Sequence, residues 1–280
     1  MTDENNNPSG NNKVAETINA VTGLTQSVPV YQDLIQPAAQ ELGKGLAVIA
    51  QSINAALLPL RMMVWKIEDI EKKFIPKVAE KLKNTKPEDI ITPKPNVAVP
   101  TIEALRYTAN DESLSDLFAG LLASSMDKNK ADKAHPSFVE IIKQLTSDEA
   151  KIINKFVKYN ALLLIDLIIT SKTENPYINS NSSVFNNFSV LNLDASLDNE
   201  DLAPSYINNL CRLGLMNIPT ESSIINQDDS YERLESNIII QGIKNNSSAR
   251  LKPNGEFKFI RKSMKITDFG RQFILACQLS

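Results

Sequence analysis

From Leu42 onward, apolar residues recur at alternating fours and threes: Leu42, Leu46, Ile49, Ile53, Ala56, Leu60, Met63, Ile67, Ile70 and Phe74. That heptad spacing predicts a helix that would run about 50 Å if unbroken. Ala50, Leu57 and Val64 widen the apolar face, which favours burial in a bundle over a narrow two-stranded seam. Pro59 falls inside the stripe and predicts a kink, or two helices meeting there. The charged run KIEDIEKKFIPKVAEKLKN reads as a solvated helix broken or bent at Pro76, and TKPEDIITPKPNVAVP as a proline-rich linker near 86–100.

Beyond it, Pro100 opens a helix, and Leu114, Leu117, Phe118, Leu121 and Leu122 stripe the next one, with Asp111 or Ser113 at its cap. Pro136 suits a first helical turn, which places His135 near the cap of a helix carrying Phe138, Ile141, Ile142 and Leu145. Thr146 and Glu149 fit a capping box for the following helix, which ALLLIDLII is expected to extend toward Thr170. Past Ser171 the texture turns rich in Asn and Ser and reads as a long loop with short strands. Pro204 and Gly214 bracket another helix. YERLESNIIIQGI is helical at its start and strand-like at Ile238 to Ile240. Asn254-Gly255 between alternating segments signals a hairpin, and Thr267 caps a last helix.

Assembled, this predicts a mainly α protein: a flexible tail over 1–28, a helical bundle over 29–170, and a smaller α+β winged-helix-like domain with a β-hairpin over 171–280. Across the 280 residues the net charge is −3, so the molecule as a whole is not built to bind polyanions. Two cysteines, Cys211 and Cys277, cannot form a disulfide framework, and MTDENNNPSGNN lacks the pattern of a secretion signal. A cytoplasmic protein with reduced thiols is expected.

Candidate chemistry is sparse. The chain has neither a phosphate-binding glycine loop nor a G-x-S-x-G elbow nor an H-E-x-x-H helix. A single histidine and two distant cysteines make no zinc set, and no cofactor or metal is expected. His135 is explained by its pre-proline cap position, and both cysteines fall on apolar helix faces, so no catalytic residue is assigned. Three binding surfaces stand out instead. The first is the heptad ridge, represented by Leu42, Leu46, Ile49, Ile53, Leu60, Met63 and Ile67, which needs covering by the chain itself or by another copy. The second is the basic hairpin over 250–265, where Arg250, Lys252, Lys258, Arg261, Lys262 and Lys265 face one acid, Glu256; as a wing it would offer cations to nucleic-acid phosphates. The third is the segment 45–65, uncharged from Gly45 to Leu60 and followed by Trp65. It is too short for a membrane span of about 20 residues but suits peripheral, interfacial contact.

Four blocks then stand in a recognisable order: GKGLAVIAQSINAALLPLRMMVWKIEDIE, DIITPKPNVAVPTIEALRYTANDESLSDLFAGLLASSMD, AHPSFVEIIKQLTSDEA and ITDFGRQFILAC. Together they resemble the bacterial abortive infection alpha family, from about Leu42 to the C-terminus. The resemblance implies defence against bacteriophage, in which an infected cell stops growing or dies before phage are released. It brings no catalytic residue with it. The expectation is therefore a non-enzymatic defence protein acting through self-association or contact with another defence protein. The alternatives are a membrane-active effector and a nucleic-acid-binding regulator.

Overall fold

The computed structural model describes residues 53, 55–56, 68–108, 110–172, 179–190, 195–219 and 228–279. A helical layer comes first. Helix α1 (Glu68–Lys81) runs through Pro76 and buries Phe74, Val78 and Ala79, with Leu82 just beyond its end, a spacing that lines one face. The proline-rich stretch is packed: a 3-10 turn at Pro87–Asp89 precedes α2 (Pro95–Thr108), which contains Pro100 and buries Val97 and Ala98. Helix α3 (Glu112–Met126) is the centre of the layer. Asp111 caps it by accepting from the Leu114 N–H at 3.0 Å, and its burial extends almost all round, because α1, α2, α4, α5 and the C-terminal helix pack against it. Helices α4 (Ser137–Ile142) and α5 (Ser147–Lys155) follow, α5 opened by the Thr146/Glu149 capping box.

The run ALLLIDLII is a strand. β1 (Ala161–Lys172) pairs antiparallel with β2 (Asn179–Phe188) on one side and with β4 (Gly255–Ile266) on the other. β3 (Met216–Asn217) pairs with the end of β4, giving a four-stranded sheet of order β2-β1-β4-β3. Helix α6 (Ala203–Arg212) lies before β3. Helices α7 (Asp228–Glu235) and α8 (Ile238–Asn246) precede β4, and α9 (Asp268–Ala276) closes the chain.

This overturns the expected bundle followed by a winged-helix-like domain. A wing is a hairpin local in sequence, whereas the segment before Asn254-Gly255 is helix α8 and a 3-10 turn at Ser248–Arg250. β4 finds its long partner in β1, from Gly255 opposite Ser171 to Lys265 opposite Ala161. The β1 run misled because a central strand covered on both sides has no period-2 alternation. Leu164 faces the larger core, while Ile165 and Leu167 face a smaller one with Phe188, Tyr231, Leu234 and Ile240. The larger core collects buried residues from Ile53 to Cys277, so α9 and the helical layer share one interior. At Gly120 of α3 the backbones touch so closely that a Cβ would lie 1.7 Å from the carbonyl oxygen of Cys277.

Candidate functional site

The sheet and its flanking helices bring several polar and aromatic side chains together. β2 carries a bulge where the register slips between Ile165/Phe188 and Leu167/Phe185. There Asn187 takes a left-handed φ of 58°, a conformation asparagine tolerates better than most residues. Its N–H donates to Asp166 Oδ1 at 2.8 Å and its amide to Asn208 Oδ1 at 3.1 Å. Lys262 closes the set: its Nζ lies 2.7 Å from Asp166 Oδ1 and 2.7 Å from Asn187 Oδ1. Three strands and α6 thus meet at one ion pair. Cys211 sits nearby and half-buried; burial pushes its thiol up, with the Lys262 charge pulling the other way.

On the opposite face Arg261 forks onto Glu235, Nε to Oε1 at 2.7 Å and Nη2 to Oε2 at 3.3 Å, and lies 5.3 Å from the Tyr231 ring centroid. Tyr231 is fully buried and its hydroxyl donates to the Lys262 carbonyl at 2.7 Å. Burial, opposed by the Arg261 charge, raises its phenol. So two of the expected phosphate-binding cations serve ion pairs within the protein. The others are placed differently. Arg250 is exposed and donates to the Ser183 carbonyl at 3.3 Å. Lys252 and Lys258 are exposed, and Lys265 is half-buried. Helix α6 buries Tyr206, Ile207 and Leu210, and its Asn209 donates to Glu149 Oε1 at 2.7 Å. It is a packing helix.

Of the heptad ridge, Ile53 lies fully buried in the larger core with Ala56 and Phe74. Leu42, Leu46, Ile49, Leu60, Met63 and Ile67, and almost all of the 45–65 segment with Trp65, lie outside the described residues.

Several other ionisable groups hold backbone. His135 is exposed, and its Nδ1 accepts from the Ser137 N–H at 3.2 Å, so it caps α4 from outside. Asp148 is 3% exposed. Burial works against its charge, but N–H groups of Asp198 and Asn199, Lys151 and the Tyr206 hydroxyl together hold its carboxyl below the ordinary range. The same pair raises Lys151, chiefly through Asp198, and burial with the Asp148 charge raises Tyr206. Asp127 is likewise held low, against burial, by the Asn129 N–H, Thr85 and Lys130. Cys277 is fully buried and its thiol is pushed up strongly by desolvation. Among the described residues no cluster of histidine, cysteine and carboxylate side chains would hold a metal ion, and no helix is long and apolar enough to cross a membrane.

The outer surface carries what the sequence reading missed. Ile238 and Ile239 open α8 at 85% and 48% exposure, while Ile240 beside them is fully buried. Beneath α8, the Lys244 ammonium lies 5.9 and 5.8 Å from the Phe257 and Phe259 ring centroids. The clue was present as Asn237, whose side chain accepts from the Ile239 N–H and caps a helix where the β-branched run implied a strand.

Fold and surface define an α+β protein in which a helical layer and a four-stranded antiparallel sheet share an interior. The abortive infection alpha family matches residues 66–277, and the chain belongs to that family. The family's name points to abortive infection, a defence against phage. No curated protein matches the chain. Among solved structures, an uncharacterized protein from the hydrocarbon-degrading marine bacterium Alcanivorax borkumensis SK2 is similar at 18% identity, over 54% of this chain and 96% of that one, with a TM-score of 0.33.

Proposed function

We propose that this chain serves phage defence by binding another protein, without catalysis of its own, and that α8 supplies the contact. The observation that carries this is the Ile238–Ile239 pair. Two adjacent β-branched apolar side chains stand in water at 85% and 48% exposure, on a helix whose next residue faces the core. The Asn237 cap fixes that helix's start, so the isoleucines are presented on a formed element. Exposed apolar groups gathered into a contiguous patch mark interaction sites. The partner is a second copy of the chain or another defence protein. The engagement of Asp127, Asp148, Glu149 and His135 in holding backbone supports a binding role over a catalytic one.

The test is phage plating on cells carrying the gene with Ile238→Asp and Ile239→Asp. Ile238 is largely and Ile239 about half exposed, so the variant should fold as the parent does, checked by circular dichroism of the purified protein. Loss of protection with unchanged folding is expected. Full protection by the double variant would overturn the reading.

A further inference from the structure

We infer that Phe257 and Phe259, with Lys244 against both rings, form a stacking site for single-stranded nucleic acid on the α8 side of the sheet. This goes beyond the contact proposed above and does not depend on it. The two rings sit on one face of β4, opposite Ile169 and Leu167 of β1, and same-face neighbours on a strand are about 6.6 Å apart. Unstacked successive bases bridge that separation, and paired aromatics on one sheet face hold bases in this way elsewhere. Both rings are only half-buried. They pack against the smaller core that holds Ile165, Leu167 and Ile240 without being enclosed by it.

Among the described residues α8 packs Ile240 and Ile243 into the same cluster and sets one cation, Lys244, against both rings. The Lys244 ammonium is 5.9 Å from one centroid and 5.8 Å from the other, so one flexible side chain spans both rings. Its displacement by a base would leave the charge beside the phosphate that joins two stacked nucleotides. Arg250, anchored through one N–H to the Ser183 carbonyl, keeps four further guanidinium donors, and Lys252, two residues on, is also exposed. Between Arg250 and Lys265 the only acid is Glu256, and its alternation along β4 sets it on the other face from Phe257 and Phe259. Aromatic platforms beside cations take single strands because every base has a π-face and every nucleotide a charge. Arg261 contributes little, being held by Glu235. Neither is the site the phosphate-gripping wing expected from sequence: base stacking carries it, and the cations are secondary.

The experiment is fluorescence anisotropy on the purified full chain with labelled oligo(U) and oligo(dT) of about 15 nucleotides. Binding at low salt that weakens as salt rises is expected, and tighter binding of either oligomer supports the site and identifies its preferred sugar. Phe257→Leu with Phe259→Leu keeps apolar bulk for the core but removes the stacking faces, and should weaken binding at least about tenfold in a variant that circular dichroism shows to be folded. Should that variant not fold, Lys244→Gln alone must lower affinity several-fold at low salt. Three results would overturn the inference: no binding at low salt, undiminished binding by the folded double-leucine variant, or displacement of the oligomer by polyglutamate as effective as by unlabelled oligomer. The last would indicate a general polyanion surface.

Discussion

Gly120→Ala should destabilise the protein, although alanine is the better helix former. In an open helix the exchange gains about 1 kcal/mol. Here the new Cβ would lie 1.7 Å from the Cys277 carbonyl oxygen, 2.4 Å from its carbon and 3.0 Å from its Cα. Those are backbone atoms, so no side chain can turn aside, and the end of α9 must retreat by well over 1 Å to restore ordinary contact. That end is held on several sides. Cys277 and Phe273 are fully buried, the Gln278 amide donates to Ser124 Oγ at 3.1 Å, and Lys81 Nζ donates to the Gln278 carbonyl at 3.3 Å. Overpacking costs about 1–3 kcal/mol, and losing the two hydrogen bonds about 1 kcal/mol each. After the helix gain is subtracted, a net loss of about 2–4 kcal/mol is expected, or a melting temperature lower by about 10 °C. Urea denaturation followed by far-UV circular dichroism reads it, with Gly242→Ala as the control. Nothing stands within 4 Å of a Cβ at Gly242 in α8, so that variant should gain up to about 1 kcal/mol. Removing residues 277–280 should cost less in the Gly120→Ala background than in the parent, because the clash and the truncation share one contact. If Gly120→Ala matches or exceeds the parent in stability, α9 does not dock on α3 as described.

Asp148→Asn should cost about 2 kcal/mol through its weakened hold on Asp198, Asn199, Lys151 and Tyr206. Since the folded carboxyl is held below its unfolded range, its contribution is fully present above about pH 4 and lost as pH falls through the folded value; denaturation across acidic pH should therefore show a shallower acid loss in the variant, and an unchanged slope would count against the assignment. Asp166→Ala should cost about 3 kcal/mol, because it strands Lys262 and the Asn187 N–H in a largely enclosed site. Adding Lys262→Met should recover part of that loss, and strictly additive costs would show that the two side chains do not meet.

What the sequence made legible was local. The Thr146/Glu149 box, the Asp111 and Thr267 caps and the His135-Pro136 entry are each complete within a few residues, so the chemistry that fixes them can be read in one place. Gly214, with φ of 74°, ends α6 through Leu215 N–H to Leu210 O at 3.1 Å and Gly214 N–H to Cys211 O at 3.0 Å, the pattern a glycine after a helix announces. The sheet was hidden for the opposite reason. β4 meets β1 across a long stretch of chain, and neither strand advertises its partner. Asp166 held the one available clue: an acid inside an apolar run must find a cation when that run is buried, and Lys262 is the cation that pairing provides. The Ile238–Ile240 run was misjudged because β-branched composition outweighed the Asn237 cap, a case of propensity yielding to capping and burial of one side.

These placements change what the basic stretch can do. Charges that appear in sequence as a cluster are divided by the sheet between two faces, and on each face one is consumed: Lys262 by Asp166, Arg261 by Glu235. What remains near α8 is a pair of rings under Lys244 on its inner side and a pair of isoleucines on its outer side. One short helix therefore separates the two proposed contacts, and Ile240 is its only fully buried side chain, a tether of about 2–3 kcal/mol. A ligand that displaces Lys244 from the rings acts on the same helix that presents Ile238 and Ile239. Coupling of about 1–3 kcal/mol is the usual range between linked sites, comparable to that tether. Occupancy of the aromatic pair would thus change how firmly the isoleucines are presented, and engagement of the isoleucines would change nucleotide affinity by the same factor.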